Sequence, residues 1–384
     1  MSGPPFTKPR RRAIWIWGAL AVTNLGIGIL IALLPSRAID FEGVWRWTRQ
    51  WVVEGLNIYA VNDVNDGSDY PPHAIVLLSP LGLIPFDLAV PMWALVNLVL
   101  ACLAPYLAAR FIRPGVPFSA MLLPTLMFLT WGGVRTLLQF SLLALTCGMA
   151  ALALAERRPI WSGILLGLAA MKPHIALPMF LWAIFTRRFR CVAVAILTVV
   201  GGLVVFCIRA TANPVDVVRQ HLAFLGGVLS GDGRRVGLSE IRPLVEAVLP
   251  PGPPSDFMAA ALALGLLAFI CGAGLQEGKT RTMSMFAAPP LAAFWVLLTF
   301  YHLTYGFILL LPAMMLLAVG ELESSRLRKW LFWTIQAGLM FDVPGLWRMS
   351  GLSGPGVVDA VFANLDRGLF LALFIGFVVL SRRD

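Results

Sequence analysis

The chain has 384 residues, 59% of them hydrophobic and 13% charged, with a formal net charge of +10 and a mean hydropathy of +0.81. An ordinary soluble domain carries about 25% charged residues, so a single water-soluble core is excluded and the bilayer becomes the solvent. No basic domain holds the positive excess, which sets nucleic acid aside as a partner and leaves the charge as a topology signal.

In lipid every backbone N–H and C=O needs an internal partner, from helices or from a closed barrel. The apolar runs here are continuous and do not alternate, as over 261–270, which selects helices. The expected fold is all-α, a polytopic transmembrane bundle of about 12 membrane segments with interfacial helices in its external loops. It forms a single integral membrane domain over 1–384.

In chain order, Lys8, Arg10, Arg11 and Arg12 precede an apolar run over 13–34. The run is too long for a signal-peptide core and lacks a small-x-small site, so an uncleaved first helix with a cytoplasmic N-terminus is expected. A first external loop follows at 35–72, then a stretch at 73–86 too short to span. Segments are expected near 87–109, 117–133 and 137–155, then two short ones, 160–171 and 174–186, that meet at Lys172-Pro173. Next come 191–209, a second external loop at 210–256, and segments near 257–276, 283–300, 304–320, 330–346 and 368–381.

The charges agree with this path. One side collects Arg110, Arg113, Arg157, Arg158, Arg187, Arg188, Arg190, Lys279 and Arg281; the other collects Asp40, Asp63, Asp66, Asp69, Asp232 and Asp256. By the positive-inside rule both termini are expected to be cytoplasmic. The five cysteines lie in apolar segments without a CxxC pair, and the four histidines show no HExxH spacing. Neither a metal site nor a cofactor is expected.

Three places stand out chemically. Asp40 opens the first external loop, ahead of Trp45, Trp47 and Trp51 set among Arg46 and Arg49. That composition suits a helix lying in the interface, and Asp40 is either its solvated cap or a functional acid. Lys172 lies between Gly163, Gly167 and Pro173-His174 in a stretch that is basic at both ends. A lysine at mid-depth costs roughly 3 kcal/mol unless it is paired or wetted, and Pro173 breaks the helix there. Such a cationic turn is a candidate lipid-phosphate site; the alternative is a lysine that reaches the external surface. His302 follows Thr299-Phe300-Tyr301 and is either a general base, with an ordinary pKa of about 6.5, or an interfacial histidine without a role. Arg135, Gln139, Arg209, Arg219, Arg234 and Arg235 are further external polar candidates for acceptor or phosphate contact.

These pieces, in order, resemble glycosyltransferase family 87. They are Asp40 after the first helix, Asn57-Ile58-Tyr59, Tyr70-Pro71-Pro72 leading to Leu77–Pro80 and Trp93, Gln139 near a helix start, Gly163-x-x-x-Gly167 before Lys172-Pro173, and His302 opening a late helix. The likeness covers about residues 13–320. The chain departs from the family where Leu138-Gln139-Phe140-Ser141 stands in place of a frequent Gly-Gln-x-Asn.

The resemblance implies a GT-C-like membrane enzyme, similar to α-1,2-mannosyltransferases. It would move mannose or arabinofuranose from a polyprenyl monophosphate donor to a lipid or glycan acceptor on the external face, with inversion in one displacement. It implies Asp40 or His302 as base, and donor and substrate contacts from Lys172, Tyr59, Tyr70, Arg135, Gln139 and His174. A non-enzymatic flippase would instead show broken helices paired across two halves, and only the break at Lys172-Pro173 is evident. An O-antigen-type ligase would rest on Arg and His in a large late loop, whereas 347–366 is small and has no His. In a purely structural membrane subunit, Asp40 and Lys172 would be dispensable.

Overall fold

The computed structural model describes residues 11–33, 39–60, 67–112, 115–135, 138–230, 245–246, 249, 252–280, 288–299, 304–319 and 326–340. Among these residues every regular element is a helix, as the continuous apolar runs require. α1 (Arg11–Leu33) carries no acid and leaves Trp15, Val22 and Leu30 exposed, as a helix facing hydrocarbon does. α2 (Ile39–Arg49) has Asp40 and Glu42 in its first turn and Arg46 and Arg49 in its last, an order that matches the helix dipole. One π turn (Gln50–Glu54) extends it to Gly55, whose φ of 72° closes the element. The expected short stretch after the first loop is α3 (Pro72–Gly82), with Pro72 in the first helical turn, where its missing N–H is not needed. α3 lies against α2: the Trp45 indole N–H donates to the Ile84 carbonyl at 2.9 Å, and a Cβ on Gly82 would lie 2.5 Å from the Arg49 nitrogen.

α4 (Phe86–Ile112) is long and continuous. The segment expected at 117–133 is broken instead. A 3-10 turn (Phe118–Met121) set by Pro117 leads into α5 (Leu122–Phe128), and a second 3-10 turn follows (Gly132–Arg135). Side chains from distant helices meet the freed backbone carbonyls. Asn24 of α1 donates to Leu129 O at 2.7 Å, and Gln336 donates to Met127 O at 3.1 Å while accepting the Trp131 indole N–H at 3.0 Å. Non-helical backbone at membrane depth needs such internal partners.

α6 (Ser141–Leu154), α7 (Pro159–Ala169), α8 (Pro173–Phe185) and α9 (Phe189–Ala210) form the centre. α7 and α9 meet at Gly163 and Gly167, where an added Cβ would come within 2.5 Å of Val194 and 2.6 Å of Thr198. The small-xxx-small seam is thus a close helix contact. α10 (Pro214–Ser230) lies in the stretch 210–256, expected as the second external loop. α11 (Pro253–Thr280), α12 (Ala288–Thr299), a 3-10 turn (Thr304–Leu310), α13 (Leu311–Val319) and α14 (Arg326–Met340) complete the description. α12 packs on α8 and α13 on α4. The segment expected at 368–381 lies outside the described residues. Among the described residues four helices, α1, α4, α9 and α11, contain windows long and apolar enough to cross a membrane, and six apolar stretches are shorter.

Chain direction gives the bundle two ends. The ends of α1 and α7 and the starts of α2, α6 and α8 share one. At the other, Glu156 just beyond α6 pairs with Arg188 just before α9 at 2.8 Å, beside Arg157, Arg158, Arg187 and Arg190.

Candidate active site

The first end holds a connected set of polar side chains drawn from four places in the chain. Lys172 occupies the residue before Pro173, and that proline disfavours α geometry for its predecessor. Lys172 is accordingly extended, with φ −120° and ψ 92°. α7 therefore stops and α8 begins with Lys172 turned inward, only 6% exposed. Its ammonium donates to Gln139 Oε1 at 3.3 Å and lies 5.1 Å from the centre of the Tyr70 ring, a cation–π distance.

Gln139, just before α6, is buried, and its amide N–H donates to the Asp40 carboxylate. Asp40 itself is exposed in the first turn of α2. The result is a carboxylate–amide–ammonium chain in which Gln139 is read from both ends: its NH2 faces the anion and its C=O faces the cation. Phe140 holds the next position by stacking on Phe41 at 6.0 Å and meeting the Tyr70 edge at 5.7 Å and Trp93 at 4.5 Å.

Tyr70 is fixed by its own loop. Its N–H donates to Ser68 Oγ at 3.1 Å, and its carbonyl accepts the Tyr59 hydroxyl at 2.6 Å. Burial raises the Tyr59 phenol well above its ordinary value, Ser68 opposes this by hydrogen bonding, and the Asp69 carboxylate adds to it. Tyr59 also packs edge-on against His221 of α10 at 5.1 Å, and Asn57 donates to Gln220 at 3.1 Å. Lys172 lies in the turn, outside both helices. Burial lowers its ammonium to about 8, while the carboxylates of Asp69 and Asp40 pull it back up.

Of the expected site residues, Asp40, Gln139, Lys172, Tyr70 and Tyr59 come together. His174 is two residues beyond Lys172, half-buried in the first turn of α8. Arg135 ends the 3-10 turn four residues before Gln139, but its side chain lies outside the described residues, as do His302 and the pair Arg234 and Arg235. Arg209 donates to the Val52 and Val53 carbonyls at 3.0 Å, and Arg219 pairs with Asp216 at 2.9 Å. The sequence reading passed over Ser68 and Asp69 as parts of the site. The available signal was their place directly before Tyr70-Pro71-Pro72. Among the described residues no group of three or more His, Cys, Asp or Glu could hold a metal ion.

The model of glycosyltransferase family 87 matches residues 69–238. The matched stretch contains Asp69, Tyr70-Pro71-Pro72, Gln139, the Gly163 and Gly167 seam and Lys172-Pro173; Asp40, Tyr59 and His302 lie outside it. No curated protein and no solved structure matches the chain. The match over this stretch, set in apolar helices, indicates a membrane glycosyltransferase.

Proposed function

We propose that the chain transfers a sugar, mannose or arabinofuranose, from a polyprenyl monophosphate donor to a hydroxyl of a lipid or glycan acceptor, at the external face of a bacterial plasma membrane. The observation that carries this reading is the exposed Asp40 carboxylate joined through Gln139 to the buried Lys172 cation. An acid beside open space and a cation beneath it are the two groups that an inverting single displacement needs. Asp40 takes the proton of the acceptor hydroxyl as that oxygen bonds to the anomeric carbon. The bond from that carbon to the phosphate oxygen breaks, and polyprenyl phosphate leaves with its electron pair.

Lys172 supplies positive charge toward the departing phosphate, and Gln139 holds the base in register with it. No metal or cofactor enters this scheme. The external assignment rests on charge: the arginine-rich end is opposite the site, and positive ends stay in the cytoplasm.

The test is sugar transfer from a synthetic polyprenyl phosphate sugar in nanodiscs, between pH 5 and 9. Asp40→Asn keeps the shape but cannot take the proton, so it binds donor yet loses about 10²–10⁴-fold in turnover. His302→Ala is the matched comparison. Transfer by Asp40→Asn at the parent rate removes Asp40 as base and passes the role to His302.

A further inference from the structure

α10 has three faces rather than two. Val217 and His221 turn onto the protein, fully buried and 9% exposed respectively, against the Tyr59 loop. Asp216 and Arg219 pair with each other in the open. Between these faces, Val215, Val218 and Leu222 recur at i, i+3 and i+7, a helical stripe, and they are 74%, 39% and 60% exposed.

This stripe does not stand alone. α9 enters α10 through a short turn at Thr211–Asn213, and its own outer side chains Val204, Val205 and Ile208 are exposed, the last by 72%. α9 is long and apolar enough to cross a membrane, so its outer face meets hydrocarbon. The exposed apolar face of a spanning helix is thus followed, past the exposed Arg209, Thr211 and Asn213, by the apolar stripe of α10. Arg209, in the last turn of α9, bonds the Val52 and Val53 carbonyls with its guanidinium exposed. A long basic side chain at a helix end marks the polar boundary of the bilayer. α10 starts just past that mark.

We propose that α10 is an interfacial helix seated in the outer leaflet, with Val215, Val218 and Leu222 in the acyl boundary and the Asp216–Arg219 pair in the headgroup water. The occupant of the exposed stripe is the phospholipid surface. Such a helix is anchored by its apolar face at shallow depth. The seating concerns this surface alone and stands apart from the chemistry assigned to Asp40 and Lys172.

The test uses the full chain in phospholipid nanodiscs, with Cys102→Ala and Cys271→Ala to limit background labelling. Nitroxide labels go on Leu222→Cys or Arg219→Cys, and accessibility to oxygen and to a water-soluble nickel chelate is read by spin resonance. The Leu222 label should be open to oxygen and closed to nickel, and the Arg219 label the reverse. A Leu222 label open to nickel overturns the proposal, because the stripe then faces water. A Leu222 label closed to both reagents also overturns it, because the stripe is then covered by protein. The unsubstituted chain gives a second reading with a phospholipid carrying a photoreactive diazirine near its headgroup. Adducts on 215–222 are expected; labelling of α9 without any on α10 sinks the proposal.

Discussion

Gln139 is the residue on which the site's geometry turns. Its amide N–H donates to Asp40 while its carbonyl accepts from Lys172, so one side chain joins the two. Gln139→Leu removes both contacts while keeping the packing volume. Hydrogen bonds to charged groups contribute about 1.5–3 kcal/mol, so turnover falls by about 10–100-fold with donor affinity less affected; steady-state kinetics with donor in excess checks this.

Lys172 adds a pH signature. Its ammonium is lowered to about 8 by burial. The cation is present below that value and lost above it, so kcat/KM declines as pH rises through about 8. Lys172→Arg keeps its charge throughout and should flatten that decline even if its overall rate is lower. A parent-like decline in Lys172→Arg would show that another group titrates there.

Among the elements, the contact of α7 with α9 is the one that places Lys172. Gly167 faces Thr198 and the Ala195 carbonyl so closely that a Cβ has no room, whereas Gly201 has nothing within 4 Å. Gly167→Ala should therefore lower the midpoint of thermal unfolding in detergent, by an overpacking cost of about 1–3 kcal/mol. Gly201→Ala should leave that midpoint unchanged or higher, because alanine favours the helix. Equal behaviour of the two would mean that the seam is slack. The break between α7 and α8 is needed as well: a continuous helix would carry Lys172 away from Gln139 and Tyr70.

Taken as a whole, the molecule separates charge from chemistry. The arginines around the Glu156–Arg188 pair occupy one end and the Asp40–Gln139–Lys172 chain the other. If the arginine end is cytoplasmic, a membrane-impermeant maleimide should label Ala223→Cys, on the solvent side of α10, in intact cells. It should reach Arg158→Cys only after permeabilisation. The reverse pattern would invert the protein and place its site inside. Ser68, although in the first external loop, is unsuited to this experiment because it is fully buried against Tyr70.

Much was legible without coordinates. Low charge and unbroken apolar runs dictate helices, since only backbone pairing within a segment survives in lipid. Pro173 dictates a break beside Lys172, because a proline restricts the residue before it. The blocks Tyr70-Pro71-Pro72 and Lys172-Pro173 pointed to the family that the match over 69–238 bears out. What the linear chain does not encode locally is who meets whom. The break of α5 is stabilised by Asn24 and Gln336, more than a hundred residues away on either side. The bounds of α10 within the second external loop were not legible, because its apolar stripe is short and mixed with charge. Only the tertiary structure brought Asp40 to Gln139 and Gln139 to Lys172, because those contacts depend on how close glycine lets two helices approach and on which side of a turn a single lysine falls.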